Sequence, residues 1–358
     1  MHLRCTVPGP DFNIAPLVSM DGKSLRIGYF YRTKVPDHYM EFEPNDDPWY
    51  KSAGKKTMLV EKAVVTYLGW KHPQHTYIKL DAHKFDKALA RSCDIVWLAF
   101  EEPPNLFKYL VAWAKKPATV AARKRKYEKV LDDIMSLPNL FPPRKVNDFI
   151  FDKCKYYAAA KRWGIPIEDT YCTTSVSIQT AGLRRKMNAL GDKVYVKPLP
   201  SSEAFGNIVF QKPYDTRAID EYLKEMRSTG VDRLCVQKFN PNFATKKYPE
   251  YRTVWVGRHF CHGIKTEGAG YTTGEMKRIP AKLRQACIGV IDRLEEKFRV
   301  PMITLRIDWG KTPDGEYFLN EIEQAYGTFI DELSYRTRLE KKIGDEFMSK
   351  ALAHMKLR

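Results

Sequence analysis

The chain has 358 residues, of which 44% are hydrophobic, and 60 Lys and Arg stand against 43 Asp and Glu for a net charge of +17. That length exceeds what one core comfortably organises, so two or three domains are expected, and the positive field favours nucleotides, phosphorylated metabolites, acidic peptides or nucleic acid as partners. No apolar run reaches the ~18 residues of a membrane span, and residues 1–16 lack the charged-then-apolar pattern of a signal peptide, so a cytoplasmic protein without a membrane partner is expected.

In chain order, Leu25 to Tyr31 and Asp94 to Phe100 read as strands bounded by polar or turn residues. The second is almost continuously apolar, as in a strand covered on both faces, which predicts a small α/β domain over residues 1–118. Between them, Tyr39 to Gly54 is rich in acidic residues, Pro and Asn and reads as a long loop. Residues 119–145 are expected to connect domains as a basic linker and helix. The run Arg123-Lys124-Arg125-Lys126 within it suits a nuclear-targeting or nucleic-acid patch, but Tyr127, Val130 and Leu131 favour a solvated helix face. Asp148 to Trp163 is predicted as one helix, stopped by Gly164 and Pro166.

Strands follow at Val194 to Lys197, Asn207 to Phe210 and Leu234 to Phe239, with a turn at Pro198 to Gly206 and a helix at Thr216 to Ser228. After Pro241 come a strand at Tyr251 to Gly257, a Gly- and Thr-rich loop from Gly263 to Gly274, and a helix at Ala281 to Phe298. Short turns between these strands imply antiparallel sheets, so this part is α+β.

The seven cysteines (Cys5, Cys93, Cys154, Cys172, Cys235, Cys261, Cys287) are odd in number and never spaced Cys-x-x-Cys, which predicts reduced thiols. His259-Phe260-Cys261-His262 and the pair His72 and His75 each lack a second matching half, so no transition-metal site is expected there.

The chemistry concentrates near the C-terminus. Residues 302–309 alternate like a half-buried strand, with Ile303, Leu305 and Ile307 on one face and Thr304, Arg306 and Asp308 on the other. A turn at Thr312-Pro313-Asp314-Gly315 leads to a strand carrying Tyr317, Leu319, Glu321 and Glu323 on one face. In the resulting hairpin Asp308 is expected opposite Leu319 and diagonal to Glu321, about 7 to 8 Å away, nearer if the strand is bulged. Carboxylates that close repel by roughly 2 kcal/mol per pair at an effective dielectric near 20, so a positive charge is expected among Asp308, Glu321 and Glu323. Without His or Cys they are hard oxygen ligands, suited to Mg2+ or Mn2+ carried with substrate phosphates. The alternative is a solvent-facing acidic edge with Arg306 as its counter-ion.

The ordered set Asp152-Lys153, Gly164-Ile165-Pro166, Val196-Lys197-Pro198, Val236-Gln237-Lys238-Phe239, Glu250-Tyr251-Arg252, Arg306-Ile307-Asp308 and Asn320-Glu321-Ile322-Glu323 resembles the ATP-grasp enzymes over roughly residues 145–328. The resemblance implies an α/β N-terminal domain followed by an α+β ATP-grasp fold, two lobes clasping ATP over residues 146–240 and 241–335, and a basic C-terminal helix over 336–358. It implies Lys153 and Lys197 on the nucleotide phosphates, although Lys153 alone also reads as a surface helix lysine. Gln237, Lys238 and Phe239 would form the hinge that reads adenine, and Glu250 would contact the ribose or pair with Arg252 at the rim. Ser201 to Gly206 stands where a loop closes over the phosphates. Arg306 matches the catalytic arginine, and Asp308 and Glu321 match metal ligands, with Glu323 where asparagine is more usual. The implied activity is ATP- and Mg2+-dependent joining of a small-molecule or peptide carboxylate to an amine, with Gly263 to Glu275 on the acceptor side. A kinase of an anionic small molecule, such as an inositol phosphate, and a nucleotide- or nucleic-acid-binding module are the alternatives.

Overall fold

The computed structural model describes residues 24–30, 41–42, 47–52, 58–98, 103–114, 118–200, 204–268, 271–324 and 338–356. The N-terminal elements are β1 (Arg26–Phe30), β2 (Glu41–Phe42), α1 (Pro48–Ser52), β3 (Met58–Leu59), α2 (Val60–Lys71), β4 (Thr76–Leu80), α3 (Lys87–Arg91), β5 (Ile95–Trp97), α4 (Pro103–Phe107), α5 (Val120–Met135) and β6 (Leu140–Phe141). Four strands join in the order β4-β1-β5-β6, every pair parallel. Their apolar residues, among them Ile27, Phe30, Ile95, Val96, Trp97 and Phe141, are buried on both faces, as parallel sheets require. The stretch expected as a loop at Tyr39 to Gly54 instead holds β2 and α1, because Trp49 and Tyr50 are core residues and Trp49 meets Tyr67 edge-on at 6.2 Å; residues 39–40, 43–46 and 53–54 lie outside the described residues.

The helix expected over Asp148 to Trp163 is two, α6 (Arg144–Ile150) and α7 (Lys153–Arg162). Asp152 breaks them apart. Its backbone is extended (φ −117°, ψ 97°), and its carboxylate accepts from the amides of Cys154 (3.1 Å) and Lys155 (3.3 Å), the competition with helical bonding that makes Asp a cap. Lys153 thereby becomes the first residue of α7.

Next come β7 (Thr170–Cys172), α8 (Thr180–Leu190), β8 (Lys193–Leu199), β9 (Ile208–Gln211), α9 (Thr216–Ser228) and β10 (Arg233–Lys238), giving an antiparallel sheet in the order β7-β10-β8-β9. Val194, Val196, Leu234 and Val236 share a core with Leu183, Met187, Ile219 and Leu223 of α8 and α9. The two-residue pleat turns Tyr195, Lys197, Cys235 and Gln237 to the opposite face.

A second antiparallel sheet, ordered β13-β12-β11-β14-β15, comprises β11 (Glu250–Val256), β12 (His259–Glu267), β13 (Tyr271–Glu275), β14 (Thr304–Lys311) and β15 (Tyr317–Glu323), with α10 (Ala281–Phe298) preceding β14. Thr253, Trp255, Leu305, Ile307 and Trp309 are buried on its helix side, where Thr253 Oγ1 lies 3.5 Å from Cys287 Sγ of α10. Gly263 to Gly274 is therefore not a loop but two strands and their connection, of which residues 269–270 lie outside the described set. Gly263 marks close backbone approach, since a Cβ there would stand 2.9 Å from the Arg252 carbonyl oxygen.

The chain ends in α11 (Leu339–Glu346), a π turn (Phe347–Ala351) and α12 (Leu352–Lys356). These return to the N-terminal sheet: Trp97 and Phe347 stack at 4.0 Å, and Asp345 accepts from Tyr67 (2.9 Å) and Lys71 (2.6 Å) of α2. No helix among the described residues is long and apolar enough to cross a membrane.

The expectation that every thiol is reduced is overturned for one pair. Cys154 and Cys172, 18 residues apart, are disulfide-bonded because the first turn of α7 lies against the end of β7. Cys93, Cys235, Cys261 and Cys287 are free and buried, and Cys5 lies outside the described residues.

Gly310 faces the Phe318 ring across the β14–β15 pair, and a Cβ would stand 2.0 Å from its nearest atom. Gly310→Ala should cost roughly 1–3 kcal/mol by overpacking, measured by urea unfolding, and the Gly310→Ala/Phe318→Ala double variant should cost less than the sum of the single changes.

Candidate active site

The site is organised by a β-bulge. In the β14–β15 pair Arg306 faces Glu323 and Asp308 faces Glu321, but Trp309 faces Leu319, so Asn320 is one residue too many on β15. Asp308 is thus opposite Glu321, not Leu319 as the unbulged register predicts. The bulge also lets Leu319 and Ile322, three residues apart, both stay buried while Asn320 and Glu321 turn toward the same cleft.

Arg306 and Asp308 are 4% and 1% exposed, which removes the solvent-facing reading of this hairpin. The Arg306 guanidinium forks onto Asp308 (Nε to Oδ1 3.0 Å, Nη2 to Oδ2 2.9 Å), reaches Glu323 through Nη1 (2.6 Å) and lies 3.7 Å from Glu321. Lys153 pairs with the other oxygen of Glu321. On β11, Arg252 donates to Glu250 (2.8 Å) and comes within 4.0 Å of Asp308, and Thr266 of β12 also donates to Glu250 (2.9 Å). The Asn320 amide then links the clusters, donating to Glu250 at 2.6 Å and accepting from Lys197 at 3.4 Å.

Lys197 reaches this place from the other sheet and also donates to the Tyr157 hydroxyl of α7 (3.3 Å), which in turn donates to the Asn320 carbonyl. Four cations, Lys153, Lys197, Arg252 and Arg306, therefore meet four carboxylates, Glu250, Asp308, Glu321 and Glu323. Burial shows in their ionisation. It raises the Asp308 carboxyl to about 6 against the pull of Arg306, and lowers the Lys197 ammonium to about 8, with Lys153 adding to the shift. Lys153 is likewise lowered by burial. Burial would raise Glu250 too, but Arg252, the Thr266 hydroxyl and Arg306 outweigh it and hold that carboxyl below its ordinary range.

Seven of the ten residues singled out from sequence therefore converge: Lys153, Lys197, Glu250, Arg306, Asp308, Glu321 and Glu323. Gln237 lies on the same sheet face as Lys197, two positions along from its partner Cys235, and donates to Thr170 (3.2 Å). Lys238 and Phe239 stand at the strand end, their amides given to the carbonyls of Asp169 (2.8 Å) and Lys193 (3.0 Å), with the Lys193 ammonium 4.0 Å from the Phe239 ring centroid. Ser201, Ser202 and Glu203 of the expected phosphate loop lie outside the described residues. Sequence reasoning missed Asn320, Tyr157 and Thr266. Asn320 had a signal: Leu319 and Ile322 are apolar three apart in a strand whose period is two. Tyr157 and Thr266 had none.

No family model matches the chain, and neither does any curated protein. Solved structures do. D-cycloserine synthetase DcsG superposes with a TM-score of 0.60 at 13% identity, covering 89% of this chain and 99% of its own. A RimK domain ATP-grasp protein from Sphaerobacter thermophilus gives 0.57 at 14% identity, covering 90% and 100%. D-alanine–D-alanine ligase from Bacillus anthracis, complexed with ATP, gives 0.57 at 14% identity, covering 93% and 99%. The chain has the ATP-grasp fold. The converging charges lie where β8 of one antiparallel sheet meets β11, β14 and β15 of the other.

Arg306→Ala would strand Asp308, Glu321 and Glu323 without their shared cation and should destabilise the protein by roughly 3–5 kcal/mol in chemical denaturation. Arg306→Ala/Asp308→Ala should recover part of that loss, since the stranded charge goes with its partner.

Proposed function

We propose that this protein is an ATP-dependent ligase that activates a substrate carboxylate and joins it to an amine. The observation that carries the reading is the convergence of Lys153 and Lys197 with Arg306, Asp308, Glu321 and Glu323 at a largely buried place between the two antiparallel sheets. Support for the reaction class comes from structural neighbours named as synthetase and ligase, one of them complexed with ATP.

In this reading Lys153 and Lys197 neutralise nucleotide phosphates. Lys197, lowered only to about 8, is still mostly protonated at neutral pH, so it can do so. Gln237 and the backbone carbonyls at Lys238 and Phe239 would read adenine, because the amides there already have partners. Glu250 would meet the ribose while its bond to Asn320 keeps the bulge in place.

The carboxylates of Asp308, Glu321 and Glu323 are all hard oxygen donors on one strand-pair face. That donor set fits Mg2+ or Mn2+, which when bound would add positive charge against the phosphate oxygens. Phosphates arriving at Lys153 would draw it off Glu321 and free that carboxylate.

The substrate carboxylate oxygen would then attack the γ-phosphorus, the bridging oxygen leaving with ADP, to give an acyl phosphate. Arg306 would stabilise the charge on the transferred group. An amine nitrogen would add to the acyl carbon and expel phosphate, losing its proton. Thr266, bonded to Glu250, borders the site from β12, so the β12–β13 hairpin would line the acceptor side and the N-terminal parallel domain would face the substrate. The +17 charge favours a second reading, a kinase acting on an anionic small molecule.

With Mg2+-ATP and pooled carboxylates and amines, ADP and inorganic phosphate should appear in equal amounts and only when both pools are present. ADP without phosphate would instead establish a kinase. Asp308→Asn and Glu321→Gln should each lower turnover by at least roughly 100-fold while leaving the circular dichroism spectrum unchanged. Lys197→Ala should weaken ATP binding about tenfold by calorimetry, the loss of one charge-assisted contact.

A further inference from the structure

Cys154, Cys172 and Cys235 bring their Sγ atoms within 4.8 Å of one another, although they come from three elements and only the first two are bonded. Their setting is the sheet face that also carries Lys197. Cys172 is opposite Cys235 across β7–β10, and Cys235 is opposite Lys197 across β10–β8, so the three side chains form one row on the cleft-facing side of the sheet. Cys154 follows Lys153 in the first turn of α7.

A second disulfide is within reach. The flanking residues Thr173 and Leu234 are hydrogen-bonded through the Thr173 amide (2.9 Å), which makes Cys172 and Cys235 a non-hydrogen-bonded antiparallel pair. Such pairs have Cα atoms about 4.5 Å apart, inside the span a disulfide bridges. The leaving group of such an exchange is Cys154 in the first turn of α7, next to Lys153.

We propose that Cys154, Cys172 and Cys235 form a redox-active thiol site whose disulfide state sets the mobility of the α7 turn that carries Lys153. A dithiol reductant opens Cys154–Cys172: the dithiol gives up two electrons and two protons and closes on itself, and each cysteine gains one hydrogen. Without a reductant, Cys235 exchanges. Its thiolate attacks the Cys172 sulfur, the Cys172–Cys235 bond forms, the bond to Cys154 breaks, and Cys154 takes the electron pair and the proton that Cys235 lost. Burial, opposed by Lys197 and Lys153, pushes the Cys235 thiol up to about 11, so this exchange is slow near neutral pH. Either step removes the covalent tie at the N-terminus of α7 and leaves its capping by Asp152 and the Lys153–Glu321 pair as local restraints.

That this mobility alters nucleotide binding rests on the role given above to Lys153, so the test separates the two. In the 358-residue chain, alkylation and mass mapping should find Cys154–Cys172 linked, and in Cys154→Ser treated with diamide should find Cys172–Cys235 linked. Hydrogen exchange of the amides at 154–157 should quicken at least about tenfold on reduction with dithiothreitol. Unchanged exchange in protein shown to be reduced, or free Cys172 and Cys235 in oxidised Cys154→Ser, would overturn the proposal. ATP affinity is read in parallel on oxidised and reduced protein. A drop of about tenfold on reduction supports both readings, whereas quickened exchange with unchanged ATP affinity supports the thiol site and counts against Lys153 as a phosphate ligand.

Discussion

One buried guanidinium holds this site together. Arg306 is shared by Asp308, Glu323 and, at longer range, Glu321, and it and Asp308 are almost free of solvent. Charges taken out of water carry a desolvation cost of several kcal/mol each, which mutual attraction offsets only when geometry is good and leftover lone pairs are satisfied. Here the fork onto Asp308, the Arg252 and Thr266 bonds to Glu250, and the Asn320 amide supply those partners. Such a cluster contributes little to stability. Under the proposed function its worth lies in presenting preorganised charge to an incoming polyphosphate.

Rigidity behind the cluster comes from apolar packing. Leu305, Ile307 and Trp309 alternate with Arg306 and Asp308 on β14, so the strand that exposes charge to the cleft is anchored by its other face in the core that includes Val290, Ile291 and Leu294 of α10. The same division of labour holds in the neighbouring sheet, where Val194 and Val196 bury against α8 and α9 and leave Tyr195 and Lys197 for the cleft. Helix α7 joins the two sheets: Tyr157 touches both Lys197 and Asn320, and Lys153 touches Glu321. The return of α11 and the following π turn onto α2 and Trp97 ties the C-terminal segment to the N-terminal sheet, so residues from both ends of the chain share one core.

Much of this was legible in the residues. Two-residue alternation located β14 and β15, and the carboxylates' mutual repulsion pointed to positive charge among them, where the structure places Arg306 and Lys153. The glycine-rich stretch from Gly263 misled, because a glycine that admits a neighbouring backbone looks the same in sequence as one that loosens a loop. The single helix expected over Asp148 to Trp163 failed for a related reason: an Asp inside a helical pattern reads as solvent-facing until its carboxylate is seen to cap the turn that follows it.

By itself the sequence determined the things that depend on neighbours along the chain: which faces of strands are apolar, where helices can stop, and that Arg306 and Asp308 point the same way. Only the tertiary structure decided what depends on residues far apart meeting. The extra residue at Asn320 resets the register so that Asp308 faces Glu321, because both Leu319 and Ile322 must stay buried. Lys153 reaches Glu321, Tyr157 reaches Lys197, and Cys154 bonds Cys172, because α7 is packed between two sheets. Pleat and helical periodicity are local properties of the backbone, whereas the closing of a charge cluster is a property of the packing that brings its members together.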